Sequence, residues 1–217
     1  MRFGYFDVAA FLAFFAYASA SVVVPVSLVL VARDLGFALE EGGTTAGGAL
    51  HLGRTAPMVA SMLLCGFAAG RWGCRRTFGA AALLMGLGIG LTALAPAYGA
   101  LLLALAVAGI GEGVIEGLGT PFAQNLHPEE PGRYINFTHA FWSVGVVVTV
   151  LGAGALLSAG VSWRAVIAGV AVFAAAPATM LLLPQRAGRT YPDRPARLRW
   201  RSVWSQAESI LRSPLFW

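Results

Sequence analysis

Six apolar runs, each closed off by a short polar segment, leave this chain few ways to fold. They cover residues 8–32, 46–69, 77–95, 98–122, 134–159 and 163–183. A helix of about 20 apolar residues spans the hydrocarbon core of a bilayer, whereas a core helix of a soluble domain is usually shorter. Composition agrees: 58% of the 217 residues are hydrophobic and 12% are charged, against about 25% charged in soluble domains. The expected fold is an all-α membrane protein with six transmembrane helices. The N-terminus imitates a signal peptide, with Arg2, an apolar stretch and small residues at Ala18 and Ala20. That reading is rejected because the apolar run continues to residue 31 without a break. Pro25 is expected to kink the first span, and Gly79, Gly86, Gly88 and Gly90 should let neighbours approach the third closely.

Loop charge sets the expected orientation, since the inner side of a membrane collects basic residues. The chain has no lysine, and twelve of its fifteen arginines fall on the side of the two termini: Arg2, Arg71, Arg75, Arg76, Arg133 and seven between Arg186 and Arg212. Arg33 and Arg164 fall on the other. Both termini are therefore expected in the cytoplasm of a multi-pass protein of the cell membrane, the inner membrane where a cell has two. Arginines confined to membrane loops also argue against nucleic acid as a partner. Three scattered histidines and two cysteines, Cys65 and Cys74, give no metal-ligand spacing, and no cofactor is expected. No nucleophile with a base and no phosphate loop appears, so the chain does not read as an enzyme.

Residues 185–213 read as an Arg-rich cytoplasmic linker carrying an interfacial helix, with Trp200, Val203, Trp204, Ala207, Ile210 and Leu211 at helical spacing. The bundle proper is then 1–184, and the apolar residues 214–217 look like the start of a seventh span.

The chemistry concentrates in 109–145. Charged groups in a bilayer cost about 2.5 kcal/mol or more, so Glu112 and Glu116 in the fourth span ask for a functional reason. Four residues apart, they share a helical face, and two like charges that close in a low dielectric do not both stay ionised. Counting rise per residue brings His139 in the fifth span level with Glu116, so these two are expected to neighbour each other, with Glu116 as the proton carrier. Asn136, His139 and Ser143 form a polar stripe on the fifth span; it either lines a pathway or hydrogen-bonds between helices. Arg54, with His51 near it in the second span, has three readings. It binds substrate, pairs with Glu112 inside an outward-opening cavity, or snorkels to the outer surface from a shorter span. Trp142 could stack on a sugar ring or sit in a lipid-facing aromatic belt. Asn125 completes the candidate substrate-binding set.

Two motifs carry a resemblance. At the junction of spans two and three, Gly66, Arg71, Gly73 and Arg75 match the GxxxDRxGRR signature of the major facilitator superfamily, with Gly70 in place of its acid and Cys74 in place of its first paired base. Gly109, Gly111, Glu116, Pro121 and Phe122, followed by Asn136 and the FWSVG of 141–145, resemble the fucose:proton symporter branch and its sugar-transporting relatives. The resemblance implies half of a twelve-helix transporter built as two three-helix repeats, a conformational latch at the first motif, and a proton-coupling role at Glu116. The branch's other acid, four residues before the proline of the first span, is matched by Ser21. Leu105 stands where the superfamily's antiporters usually carry arginine.

These features together read as the N-terminal half of a secondary transporter, moving a small polar solute, a sugar first, with protons. Drug or metabolite efflux is the alternative within the superfamily, and a non-transporting membrane scaffold the alternative outside it. A missing C-terminal six-helix half, or a second copy of the chain, is the expected partner in the bilayer.

Overall fold

A computed structural model of the chain describes residues 2–39, 43–185 and 190–193. The described residues form six helices: α1 (Tyr5–Leu35), α2 (Gly43–Trp72), α3 (Cys74–Leu94), α4 (Tyr98–Leu126), α5 (Pro131–Ser158) and α6 (Trp163–Leu182). All six are long and apolar enough to cross a membrane. Helices α1, α2, α4 and α5 outrun their apolar runs, and polar residues finish the ends of several helices. Asp7 reaches back to the Gly4 N–H at 2.7 Å to cap α1, and Ser162 caps α6 by accepting from the Ala165 N–H. Helix α1 is continuous through Pro25. The expected interfacial helix within 185–213 and the start of a span at 214–217 lie outside the described residues.

Contacts at the ends show that the helices alternate in direction. At the proximal end, where α1 begins and α6 finishes, His127 Nε2 meets Asp7 Oδ1 at 2.7 Å, tying the end of α4 to the start of α1. At the distal end, Arg164 of α6 bonds Asp34 of α1 at 2.9 Å and the carbonyls of Ala93 and Ala95 at the end of α3, each at 2.9 Å. Between these ends the packing has an internal symmetry. Helix α2 packs along α4 as α5 packs along α1; α3 packs on α4 as α6 packs on α1; and α3 and α6 pack on each other. Exchanging α1–α3 for α4–α6 reproduces the pattern, which is what two three-helix repeats require.

Small residues let the central helices approach. In α1, Ala9, Ala10, Ala13, Ala16, Ala18 and Ala20 are all buried. In α4, Gly109 and Gly113 lie on one face against α2: a methyl group added at Gly109 would sit 2.1 Å from the Arg54 carbonyl oxygen, and one at Gly113 would sit 1.9 Å from that of Met58. Ser61 Oγ donates across the same seam to the Ile110 carbonyl at 2.9 Å. With no hydrophobic drive between helices in lipid, this close backbone approach is what holds them together.

Candidate functional site

The approach of α2 to α4 at Gly109 decides where Arg54 points. Because its own carbonyl lies against Gly109, the side chain runs one turn along α4 and meets Glu112, whose position three residues on places it beside the seam. Arg54 Nε donates to Glu112 Oε2 at 2.7 Å. Nη1 donates to the Ser21 carbonyl at 2.9 Å and Nη2 to Ser21 Oγ at 2.8 Å, so α1 holds the other edge of the guanidinium. Glu112 is completely buried and Arg54 is 8% exposed. One carboxylate oxygen, Glu112 Oε1, is buried without a hydrogen-bond partner. Tyr17 lies one turn before Ser21, within electrostatic reach of Arg54, Glu112 and Glu116. Of the three readings open for Arg54, the geometry matches pairing with Glu112.

A cavity of about 230 Å³ opens beside this pair, between α1, α2 and α4 on its distal side. Arg54 closes its inner end. Val24, Pro25, Leu28, Leu50 and Leu105 supply most of the wall, and His51 stands further out, its Nε2 3.5 Å from Thr55 Oγ1.

The other sequence candidates fall into separate places. Glu116 is half-buried, and His139 sets its ring edge against Phe14 at 4.6 Å. No ion pair or hydrogen bond joins the two among the described residues, because α1 packs along α5 where α4 was expected to. Asn136 and Ser143 lie exposed on α5, and Trp142 is partly exposed, 6.4 Å from the Tyr17 ring. Asn125 is drawn into a proximal cluster, where its Nδ2 donates to Tyr191 at 3.3 Å.

That cluster occupies the signature junction. Gly73 takes φ +89° to turn the chain from α2 into α3, a conformation that suits glycine. Arg71 is exposed and Gly66 half-buried. Arg75 is buried, its Nη1 donating to the carbonyls of Leu181 and Leu183 at the end of α6. The Gln185 amide, oriented by its partners, accepts from Arg75 Nε at 2.8 Å and from the Tyr191 N–H at 3.1 Å. Tyr191 is buried, stacks on Phe122 at 4.5 Å and donates to the Phe122 carbonyl at 3.2 Å. Burial pushes its hydroxyl well above the ordinary tyrosine range, so it remains a neutral donor. Asp193 then accepts from the Arg75 N–H at 3.2 Å, placing a carboxylate at the start of α3. The signature's acid is absent at Gly70, and a different acid, from beyond α6, sits three residues along from it.

The family model for the Major Facilitator Superfamily matches residues 9–217. The chain belongs to that superfamily. Members of the major facilitator superfamily are membrane transporters rather than enzymes, and the six-helix bundle with its repeat symmetry is consistent with half of the superfamily's fold. No curated protein matches the chain.

Ser21, Tyr17, Tyr191 and Asp193 carry more of these two clusters than their sequence context suggests. Tyr17, Ser21 and Pro25 recur every four residues, a spacing that marks one face of α1. Nothing comparable marks Tyr191 or Asp193.

Proposed function

We propose that the protein is a proton-coupled transporter of a small solute, with Arg54, Glu112 and Ser21 at the coupling site and Glu116 one turn along the same helix. The observation that supports this best is the buried Arg54–Glu112 pair with one carboxylate oxygen unpartnered, beside a cavity that Arg54 lines. A carboxylate held this way has a free oxygen on which a proton can be placed, and protonation changes the charge of the pair beside the cavity. Resemblance to the fucose:proton branch makes a sugar the solute class it implies. A second reading, export of a drug or metabolite, is favoured by the cavity wall, which is mostly aliphatic. Transport requires a second six-helix unit, either a C-terminal half or another copy, with the two rocking about a shared path. Asn136, His139 and Trp142 then lie on the face of α5 available to that unit, and the arginine distribution supports cytoplasmic termini.

The test is uptake into proteoliposomes carrying the assembled transporter under an imposed pH gradient, with a panel of labelled hexoses and amphipathic solutes. Glu112→Gln should abolish gradient-driven accumulation and leave exchange at equal pH. Accumulation unchanged in both Glu112→Gln and Glu116→Gln would overturn the coupling assignment.

A further inference from the structure

Charge balance at the buried pair limits what the cavity can take. As found, Arg54 and Glu112 neutralise each other, and the guanidinium cannot shed its charge. A proton arriving at Glu112 has a ready acceptor in the unpartnered Oε1. Once it is there, Arg54 is left as a buried cation facing a neutral carboxyl. A buried charge without a counter-charge is strongly disfavoured, so the protonated state is reached easily only when another anion replaces Glu112 as the partner.

Few groups could take that role from within the protein. The charged and titratable groups near Glu112 are Arg54 and His51 on α2, Tyr17 on α1, and Glu116 one turn along α4, while those of α3 lie at its proximal end. Glu116 makes no ion pair with Arg54. From outside the protein, the cavity is the side on which a ligand would approach Arg54, which lines it. Its wall offers Val24, Pro25, Leu28, Leu50 and Leu105 to the body of a ligand, and Arg54 with His51 as its polar side chains. Sugar hydroxyls would be stripped of water there without enough partners to replace it.

We propose that the cavity binds a monoanionic organic acid, a carboxylate on a compact apolar body, which takes the place of Glu112 at Arg54 when Glu112 is protonated. This rests on the reading of Glu112 as the proton carrier. The exchange balances: a proton from water goes onto Glu112 Oε1, the Arg54 Nε–H bond to Glu112 is given up, and a carboxylate oxygen of the ligand accepts from Arg54 instead. The site is neutral before and after. One proton and one monoanion are held together, so their joint movement carries no net charge.

Binding to the purified chain in detergent tests this, using acetate, isovalerate and benzoate with isovaleramide and glucose as neutral counterparts. Calorimetry in buffers of different ionisation heat reports the protons taken up. The expected result is that isovalerate or benzoate binds with one proton taken up, that affinity falls about tenfold per pH unit above the titration of Glu112, and that neither neutral compound binds. Glu112→Gln should bind the same acid without proton uptake and without pH dependence, and Arg54→Gln should lose it. Arg54→Lys, which retains the charge, should bind more weakly and shows that loss in Arg54→Gln is not misfolding. Glucose binding with proton uptake would overturn the anion assignment and leave the coupling reading standing. Carboxylate binding without proton uptake would do the reverse. Failure of all three acids to bind a chain that unfolds cooperatively would overturn the proposal.

Discussion

Arg54 shows how one side chain can tie three helices, because its fork is shared between Glu112 on α4 and both the hydroxyl and the carbonyl of Ser21 on α1. Removing one partner of a buried ion pair leaves the other uncompensated, at a cost of about 3–5 kcal/mol, whereas replacing both with apolar groups of similar size is often near neutral. Arg54→Met and Glu112→Leu should therefore each lower the thermal unfolding temperature of the purified chain in detergent, and the double variant should recover most of the loss. Additive losses would show that the two groups are not coupled. The expense of charge in lipid made Arg54 and Glu112 legible in the sequence, but their pairing was one option among three, since spacing along α2 does not say how α2 is rotated. Ser21 read as the loss of an acid, and only the structure gives it work. The expected meeting of Glu116 and His139 rested on their levels along two helices. Levels follow from counting residues, but which helix lies alongside which is set by packing of the whole bundle, and Phe14 of α1 stands against His139 instead.

At the scale of elements, the seam between α2 and α4 depends on glycine. A methyl group at position 113 would overlap the Met58 carbonyl and Ser61 Oγ, neither of which is the free end of a flexible chain. Gly113→Ala should cost about 1–3 kcal/mol through overpacking. Gly152→Ala on α5, where a methyl group would meet nothing within 4 Å, should stay within about 1 kcal/mol of the parent, on the stabilising side. Equal effects on thermal unfolding would mean that the close approach contributes little. The glycines of α3 behave as the sequence suggests, Gly79 and Gly86 facing α6 and Gly88 facing α4. The proximal cluster was not legible: its anchor, Tyr191, follows the last span with no periodicity to mark it. It covers Cys74, which is buried. In a Cys65→Ser background, alkylation of Cys74 should be slow. Tyr191→Ala should speed it by about a hundredfold if the cost of truncating a buried aromatic, ~3 kcal/mol, goes into opening. Asp193→Asn, which keeps the anchor, should speed it less. An unchanged rate in Tyr191→Ala would show that Tyr191 does not guard the thiol.

For the molecule as a whole, loop charge rather than helix packing distinguishes the two ends, because the fold is built from two inverted repeats. The cavity beside Arg54 opens on the distal side, so orientation also decides from which compartment a solute reaches it. Arginine in short loops is the physical guide, acids counting little. On the distal side Arg164 is engaged by Asp34 and by two backbone carbonyls, which leaves Arg33 as the other arginine there. On the proximal side, Arg2, Arg71, Arg76 and Arg133 are exposed, and Arg75 is buried against the end of α6. Cys74 is a poor reporter of this end, since burial beneath Tyr191 would suppress labelling from either compartment. Position 76 is exposed on the proximal side and position 159 is exposed on the distal side. In a chain with Cys65 and Cys74 replaced by serine, an impermeant maleimide applied to intact cells should label Ala159→Cys and spare Arg76→Cys, and permeabilising the cells should make both react. The opposite pattern would invert the topology and turn the cavity, with its route to Arg54, toward the cytoplasm.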